Sequence, residues 1–263
     1  MKIIITGAAS GIGRQTARLF AAEPHGGVPS EILLVDRDEG PLGETAREIE
    51  AGGGRVGTCV ADLADIDTPA RIVAATVERF GGIDALISNA GAIHSFPLLQ
   101  LRVEEFDRLI AVNARATLLL AQAAHPLLKA ARGVIIATVS TAAENPAVPL
   151  GAYSASKAAL LMLVRQIAAE WGPDGIRCNG VSPGPTHTSM TSASYDDPAV
   201  REQRGRDIPL GRVGQPADVA RAIHFLAGPA ASFISGVNLL VDGGLSSRLG
   251  ASSSGAANAM TSR

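Results

Sequence analysis

The hydrophobic pattern of the chain alternates between two periods. Seven short runs rich in β-branched residues are apolar nearly throughout, which is typical of strands covered on both faces of a sheet. These runs lie at residues 2–6, 31–36, 55–60, 84–88, 133–138, 175–181 and 237–241. The longer stretches between them have the spacing of amphipathic helices. The helical stretches lie at residues 12–22, 40–51, 66–80, 102–130, 152–171 and 216–227.

The order of these elements predicts the fold class. Strands that alternate with long helical connections pair in parallel, because a parallel neighbour needs a crossover of about a dozen residues or more. The pattern therefore predicts an α/β fold. Its core is expected to be one doubly wound parallel sheet of about seven strands, with helices on both faces.

The pattern also predicts one domain followed by a tail. No linker-like change of composition occurs before residue 245, so residues 1–245 are expected to form a single domain. Residues 246–263 are mostly small or polar, and we expect a flexible C-terminal tail because little in them can be buried. Residues 186–212 form a long irregular stretch inside the domain, and such loops are often lids over sites.

Composition limits the kinds of partner. The 263 residues are 46% hydrophobic and 18% charged, with a formal net charge of -2, which suits a chain with a sizeable core. Lys and Arg form no basic stripe, which argues against nucleic acid, and no apolar run is long enough to span a membrane. Cys59 and Cys178 lie outside any metal-binding spacing, so we expect two reduced thiols, no metal site and a cytoplasmic protein.

A glycine-rich turn follows the first predicted strand and opens the first predicted helix. Its sequence is Thr6-Gly7-Ala8-Ala9-Ser10-Gly11-Ile12-Gly13. Glycines let the backbone turn tightly and approach a pyrophosphate, while the helix N-terminus offers free N–H groups and a partial positive charge. The spacing differs from the common G-x-G-x-x-G, yet the position between strand and helix indicates a phosphate-binding loop.

An acidic residue, Asp36, ends the second predicted strand. A carboxylate at this position accepts hydrogen bonds from the ribose of an adenosine cofactor. It would also repel a 2′-phosphate, since two like charges ~4 Å apart cost roughly 4 kcal/mol at an effective dielectric near 20. The position therefore favours NAD over NADP. The open alternative is a solvated aspartate that caps the next segment.

Tyr153 and Lys157 stand four residues apart in a strongly helical segment, so both side chains lie on one face. A nearby ammonium stabilises a phenolate and lowers the tyrosine pKa, which lets the tyrosine take the proton of an alcohol as hydride leaves. Ser140, at the end of the fifth predicted strand, is placed to hold the substrate oxygen. The Y-x-x-x-K spacing alone is common and also fits an ordinary surface pair.

Several motifs occur together, in one order along the chain. They are Thr6-Gly7-x-x-x-Gly11-Ile12-Gly13, Asn89-Ala90-Gly91 after the fourth strand, Ser140 thirteen residues before Tyr153, Lys157, and Ser182-Pro183-Gly184 after the sixth strand. With this set the chain resembles the short-chain dehydrogenase/reductase family, in its single-domain branch, over about residues 2–245. The resemblance implies a Rossmann-type fold and an oxidoreductase that moves a hydride between NAD and a secondary alcohol or ketone.

The resemblance also implies roles for individual residues. The positions that match catalytic residues of the family are Ser140, Tyr153, Lys157 and Asn113. Asn113 would anchor a water in the proton relay, and its alternative interpretation is the residue at a helix kink. The positions expected to bind the cofactor are Gly7, Ser10, Gly11, Ile12, Gly13, Asp36, Arg37, Asp62, Leu63, Asn89, Ala90, Gly91, Tyr153, Lys157, Pro183, Gly184, Thr186 and Thr188.

Three of these positions make the cofactor prediction more specific. Asp62 matches the family residue that contacts adenine. Ser10 stands where NADP-preferring relatives often have a basic residue, which agrees with the interpretation of Asp36. Thr188 lies in a segment that resembles the one closing over the nicotinamide, although its hydroxyl also fits a cap on a lid helix.

The substrate is the least determined part of the interpretation. Loops at residues 92–98, 142–150 and 186–212 are expected to border the substrate cleft. Candidate substrate contacts are His94, Thr141, Ala142, Asn145, His187 and Met190. Apolar residues in these loops favour an apolar secondary alcohol or its ketone. For each polar candidate, the alternative that it is an ordinary solvated loop residue stays open.

Two alternatives to an NAD-dependent dehydrogenase stay open. An NADPH-dependent reductase of 3-oxoacyl thioesters is common among related chains, although it needs a basic patch for an acidic carrier protein. A non-catalytic NAD-sensing protein is the second, since a fold does not determine a function. The resemblance further implies a homotetramer, for which the Ala- and Leu-rich segments 102–130 and 152–171 would be buried between subunits.

Overall fold

A seven-stranded parallel sheet forms the centre of the computed structural model, which describes residues 1–248. The strands are β1 (Lys2–Thr6), β2 (Glu31–Asp36), β3 (Arg55–Val60), β4 (Ala85–Ser88), β5 (Val134–Thr138), β6 (Arg177–Pro183) and β7 (Asn238–Val241). They lie in the order β3-β2-β1-β4-β5-β6-β7, and every neighbouring pair is parallel. The predicted α/β class, a Rossmann-type doubly wound sheet, is confirmed.

Helices cover both faces of this sheet. Those of the described residues are α1 (Gly11–Ala22), α2 (Glu39–Ala51), α3 (Thr68–Phe80), α4 (Val103–Ile110), α5 (Ala116–Ala131), α6 (Ala152–Trp171), α7 (Ser192–Tyr195), α8 (Pro198–Arg206) and α9 (Pro216–Ala227), with a π segment at Ala111–Arg115 between α4 and α5. None of the helices within residues 1–248 is both long and apolar enough to cross a membrane.

The apolar strands separate two cores, one on each face. Successive strand residues point to opposite faces, so Ile4 packs in the core beneath α3, α5 and α6, together with Leu120 and Val164. Its neighbour Ile3 packs in the other core, beneath α1, α2 and α9, with Phe20. Each fully buried side chain of this size contributes about 1.5–3 kcal/mol by leaving water, and this requirement on both faces explains the continuous apolar runs.

The strand order places a crevice at the carboxyl ends of the central strands β1 and β4. The chain proceeds from β1 to β2 and β3 on one side, and then crosses to β4 on the other side of β1. Ligands of open α/β sheets bind outside the carboxyl ends of the strands at such a reversal. Gly7 follows β1 and Asn89 follows β4, so the predicted phosphate loop and cofactor wall meet there.

Two regions differ from the sequence-based prediction. The single helix predicted over residues 102–130 is interrupted by the π segment at Ala111–Arg115, where one extra residue enters the turn. The stretch 186–212, predicted to be irregular, contains α7, α8 and a 3-10 turn at Ser189–Thr191. Asp197 caps α8 by accepting from the backbone N–H of Ala199, which is why a helix begins there.

The end of the predicted domain is folded back onto the body. Residues Leu245–Arg248 form a 3-10 turn, and the Arg248 guanidinium donates to the carbonyl of Asp207 at 2.7 Å. Residues 246–248 of the predicted tail thus belong to this turn, and residues 249–263 lie outside the described part of the chain.

Candidate active site

The glycine-rich loop is shaped by backbone contacts that exclude side chains. A Cβ at Gly13 would lie 2.0 Å from the carbonyl oxygen of Gly7, a distance that no side chain tolerates. Gly11 has φ +53°, and a Cβ there would lie 3.3 Å from the Cβ of Thr188. Because α1 begins at Gly11, its first N–H groups lie beside glycines that bring no side chain of their own to the loop. Such a loop fits the pyrophosphate of a dinucleotide.

Asp36 lies against this loop at the end of β2. Its Oδ2 accepts from the backbone N–H of Ala9 at 3.0 Å, and its Oδ1 accepts from the N–H groups of Arg37 and Asp38 at 2.8 and 3.2 Å. Three backbone donors thus hold the carboxylate in one place beside the loop. The side chain of Arg37 is mostly exposed and lies 3.8 Å from the Asp38 carboxylate.

The predicted adenine contact, Asp62, has partners within the protein. Its carboxylate accepts from the backbone N–H of Ala64 at 2.9 Å and from the guanidinium of Arg108 at 3.1 Å. The hydrogen bond from Ala64 and then the Arg108 side chain hold the pKa of this carboxyl below its usual range. The neighbouring Leu63 is buried. The acidic group therefore stays charged, and Arg108 partly neutralises it.

Asn89 supports the glycine-rich loop from behind. Its side-chain nitrogen donates to the carbonyl of Thr6 at 3.1 Å, and its oxygen accepts from the hydroxyl of Thr138 at 3.1 Å. The N–H groups of Asn89 and Ala90 both donate to the Thr6 hydroxyl at 3.0 Å. These bonds join the ends of β1, β4 and β5, so the Asn89 side chain holds the loop.

Tyr153, Lys157 and Ser140 lie together at the end of β5 and the start of α6. The Lys157 nitrogen lies 5.8 Å from the centre of the Tyr153 ring and donates to the carbonyl of Thr138 at 2.8 Å. Lys157 is 3% exposed, and burial lowers its pKa to about 8. Burial raises the pKa of the Tyr153 phenol, whereas the Ser140 hydroxyl lowers it. A phenol, a hydroxyl and a buried ammonium are the groups that proton transfer to an alkoxide or from an alcohol requires.

Asn113 lies in the π segment and faces this group from the other side. Its side-chain oxygen accepts from the backbone N–H of Ala92 at 2.8 Å. Its nitrogen donates to the carbonyl of Ala92 and to the hydroxyl of Ser156, both at 2.9 Å. Gly91 lies between Asn113 and Lys157, since a Cβ there would be 3.2 Å from the Asn113 oxygen and 3.4 Å from the Lys157 nitrogen. Asn113 is therefore both the residue of the helix irregularity and part of this cluster.

The segment after β6 lies over the glycine-rich loop. It continues from Pro183 and Gly184 to Thr186, which is buried and forms an isolated bridge with Gly214. Thr188 precedes the turn Ser189–Thr191, and its backbone N–H donates to the Thr191 hydroxyl at 2.9 Å, as in a capping box. The Ser189 hydroxyl lies 2.8 Å from that of Ser10. The segment thus contacts the loop where a cofactor pyrophosphate is expected.

Several known proteins are similar to this chain over nearly its whole length. A family model described as enoyl-(acyl carrier protein) reductase matches residues 7–246. L-rhamnose 1-dehydrogenase (NAD(P)(+)) of Azotobacter vinelandii is 38% identical over 92% of this chain and 95% of its own length. 2-(R)-hydroxypropyl-CoM dehydrogenase of Xanthobacter autotrophicus is 38% identical over 91% of this chain and 96% of its own.

One solved structure is similar to this chain in both fold and sequence. A putative NAD(P) dependent gluconate 5-dehydrogenase from Beutenbergia cavernae, with bound NADP at low occupancy, superposes with a TM-score of 0.85. It is 32% identical, over 93% of this chain and 96% of that one. The chain belongs to the short-chain dehydrogenase/reductase family. It is an oxidoreductase of small molecules that uses a nicotinamide cofactor.

In this short-chain dehydrogenase four of the predicted substrate contacts lie on the loops that follow β4 and β5. Ala142 is buried, and the Thr141 hydroxyl reaches the carbonyl of Pro183 at 3.4 Å. The ring of His94 lies 6.3 Å from that of Phe96. The backbone N–H of Asn145 donates to the carbonyl of Thr141 at 3.2 Å, beside Ser140. Of these residues, Ala142 contacts Ser140 directly, since its backbone N–H donates to the Ser140 hydroxyl at 3.1 Å.

The two candidates on the lid segment are placed differently. His187 pairs with the carboxylate of Asp196 at 2.8 Å, so its ring ties the lid segment to the residue after α7. Met190 is half exposed. Glu144, another polar residue of these loops, accepts from the Asn238 side chain at 3.1 Å and lies 3.6 Å from the Arg165 guanidinium.

Two supporting residues of the family site were missed by the sequence analysis. Thr138 accepts from Lys157 through its carbonyl and donates to Asn89 through its hydroxyl. Ser156 joins Asn113 to α6. In the sequence, Thr138 appears only as a hydroxyl residue at the end of an apolar strand, and Ser156 only as a hydroxyl residue next to a candidate lysine. Neither position identifies a partner, because each partner is far away in sequence.

Proposed function

We propose that the protein is an NAD-dependent dehydrogenase of secondary alcohols, also able to reduce the ketones. Tyr153 is the general acid–base group, Lys157 adjusts its acidity, and Ser140 orients the substrate oxygen. Asn113 supports the proton relay through the segment at Gly91. The observation that supports this most directly is the cluster of phenol, hydroxyl and buried ammonium at the end of β5.

Oxidation of a secondary alcohol removes a proton from oxygen and a hydride from carbon. Tyr153, as the phenolate, accepts the proton, while the Ser140 hydroxyl donates a hydrogen bond to the oxygen that develops negative charge. The Lys157 ammonium near the ring stabilises the phenolate and so opposes the effect of burial on the tyrosine pKa. When bound, the oxidised nicotinamide supplies the hydride acceptor. In the reverse direction the Tyr153 phenol returns the proton to the ketone oxygen.

The preference for NAD rests on Asp36. Its carboxylate is held beside the loop by three backbone N–H groups, where it accepts from ribose hydroxyls and repels a 2′-phosphate. Because one relative is named for both cofactors, the direct test compares kcat/KM for NAD and NADP. We expect NAD to be favoured roughly tenfold or more, since ~1.4 kcal/mol suffices for that ratio. Asp36→Asn should reduce the ratio, whereas Asp38→Asn, at the neighbouring exposed carboxylate, should leave it unchanged.

The substrate class is supported by the names of several relatives. They include dehydrogenases named for L-rhamnose, for 2-(R)-hydroxypropyl-CoM and, in Eggerthella lenta, for 3beta-hydroxysteroids. What these molecules share is a hydroxyl on a small molecule, as expected for a cleft built around one proton-transfer group. Ala142 beside Ser140, together with the apolar residues of the cleft loops, favours an alcohol with an apolar substituent.

The decisive experiment measures NADH formation over a panel of secondary alcohols that spans sugars, diols, aryl carbinols and hydroxysteroids. We expect turnover with NAD that is abolished in Tyr153→Phe, while NADH binding by fluorescence persists. Appreciable turnover in the variant would contradict the role of Tyr153. A preference for NADPH with 3-oxoacyl thioesters would instead favour the reductase alternative.

Assembly, location and domain extent complete the proposal. We propose a homotetramer, a cytoplasmic location and a catalytic domain over residues 1–245. Both cysteines are free, which suits a reducing compartment. Light scattering in solution tests the assembly, and a monomer mass would contradict it. Truncation after residue 248 should leave turnover with the best alcohol unchanged.

A further inference from the structure

Ser156 lies in the first turns of α6, between Tyr153 and Lys157, and is fully buried. Its hydroxyl donates to the carbonyl oxygen of Tyr153 at 2.7 Å and accepts from the side-chain nitrogen of Asn113 at 2.9 Å. A carbonyl oxygen can only accept, so the single proton of the serine is used there. The serine oxygen must therefore accept from Asn113, which makes Ser156 a link of fixed polarity between α6 and the π segment.

The amide of Asn113 extends this link to the loop after β4. It accepts from the N–H of Ala92 at 2.8 Å and donates to the carbonyl of the same residue at 2.9 Å. With Ser156 as third partner the orientation of the amide is determined, because exchanging its oxygen and nitrogen would bring like groups together. Gly91, next to Ala92, has its Cα side toward both the Asn113 oxygen and the Lys157 nitrogen.

We infer that Ser156 is a positioning residue for the proposed reaction. Through Asn113 it keeps the Gly91–Ala92 segment in register with the turn that holds Tyr153 and Lys157. The inference rests on the proposed function, since it assumes the roles given to that pair. Loss of the hydroxyl would leave an N–H of the buried Asn113 without its acceptor, and the segment would shift to satisfy it.

The kinetic test uses Ser156→Ala, the hydroxyl-retaining Ser156→Thr, and Thr76→Val as a matched control. Thr76 is equally buried and donates to the carbonyl of Ile72 at 2.7 Å, but it lies on α3, outside the site. We expect Ser156→Ala to lower kcat about 10- to 100-fold, as small misplacements of reacting groups do, with little change in KM for the cofactor. Ser156→Thr should retain most of the turnover, and Thr76→Val should lower thermal stability only.

A double-mutant cycle with Asn113 separates positioning from general stability. If Ser156 acts through Asn113, then Ser156→Ala should cause no further loss of kcat in an Asn113→Ala background. Losses that multiply would overturn the inference. Wild-type kcat in Ser156→Ala would do the same.

Amide hydrogen exchange supplies a readout that needs no turnover. The N–H of Ala92 should exchange faster in Ser156→Ala than in the wild type, and at the wild-type rate in Thr76→Val. Unchanged exchange in Ser156→Ala would overturn the positioning role. If the wild type turned over no alcohol while this exchange difference was found, only the proposed function would fail.

Discussion

The ammonium nitrogen of Lys157 lies 2.8 Å from the carbonyl oxygen of Thr138, at a position where the lysine is 3% exposed. The partner is a neutral carbonyl, so it compensates only part of the loss of hydration. Burial therefore lowers the lysine pKa from 10.5 to about 8. Lys157 is therefore held in the folded protein at a cost in stability.

We predict that Lys157→Met abolishes turnover and stabilises the protein at neutral pH. Below pH 8 the lysine is protonated in both states, and the shift of the pKa corresponds to a cost of up to about 3 kcal/mol in the folded state. As the pH rises from 8 to 10.5 the folded state loses its proton first and the cost disappears. The gain in the free energy of unfolding should therefore shrink over this window.

Chemical unfolding of wild type and variant at several pH values checks this prediction. Lys129→Met is the matched control, because the Lys129 ammonium is exposed and pairs with the Asp174 carboxylate at 2.7 Å. It should produce no stabilisation. A Lys157→Met gain that stayed constant between pH 7 and 10.5 would contradict the assignment to burial of the charge.

The glycine-rich loop predicts a second outcome, for Gly13→Ala. The new methyl group would overlap the carbonyl of Gly7, and backbone at both positions would have to move. We expect a loss of about 1–3 kcal/mol in the free energy of unfolding, as for other overpacked sites, and a large loss of NADH affinity. Equilibrium unfolding and NADH fluorescence titration measure the two effects.

Gly40→Ala is the control for that substitution. Gly40 lies in α2, and a Cβ there would have nothing within 4 Å. Replacing a helical glycine by alanine at an open position stabilises by about 0.5–1 kcal/mol. NADH affinity should not change. A weakening of NADH binding by both variants to the same extent would contradict the role given to the loop.

A stacked histidine pair predicts a pH effect far from the site. The rings of His25 and His224 lie 4.0 Å apart, with Phe20 beside both. The His25 nitrogen contacts the carbonyl of His224 at 3.1 Å, and the His224 nitrogen contacts that of Glu23 at 2.7 Å. Burial, followed by the charge on His224, lowers the His25 pKa below 6.5. The folded protein therefore favours the neutral form of His25.

The sign of the effect follows from that direction. A histidine whose pKa is lowered by folding stabilises the protein above its unfolded pKa, and this contribution is lost as the pH falls below 6.5. We expect His25→Phe to lose less stability than the wild type between pH 7.5 and pH 5. Thermal unfolding at pH intervals across that range measures it, and parallel curves for the two proteins would contradict the prediction.

We predict that replacing Arg177 strongly lowers the free energy of unfolding. Its half-buried guanidinium donates to the carbonyls of Leu226 at 2.8 Å and Ile234 at 3.3 Å, and so ties the start of β6 to the end of α9. Arg177→Met leaves those carbonyls without donors, which should cost about 2–3 kcal/mol in equilibrium unfolding. Arg206→Met, which breaks an exposed ion pair with Glu202, should cost less than about 1 kcal/mol. Equal losses would contradict this account.

The sequence by itself determined the layers of the fold and the membership of the central cluster. Runs such as Ile3-Ile4-Ile5 predict a strand with both faces buried, and the observed cores contain these residues on opposite faces. Ser140, Tyr153 and Lys157 lie close together. The spacing of four residues that puts Tyr153 and Lys157 on one helix face is a local property, whereas their approach to Ser140 depends on the packing of α6 beside the end of β5.

Other features could not be obtained from local pattern. The π segment at Ala111–Arg115 looks like ordinary helix in the sequence, because one added residue in a turn barely alters the apolar spacing. His187 was a candidate substrate contact, but only the folded lid segment places it against Asp196. The histidine pair joins residues 199 positions apart.

The division has one physical reason. Periodicity, turn residues and helix caps act within a few residues, so the sequence determined the strands, most helices and the glycine-rich loop between β1 and α1. A hydrogen bond needs its atoms placed to within a few tenths of an ångström, and distances between remote segments depend on the packing of every side chain between them. Only the tertiary structure therefore decided that Asn89 supports the loop and that Thr138 and Ser156 join Lys157 and Asn113 to their surroundings.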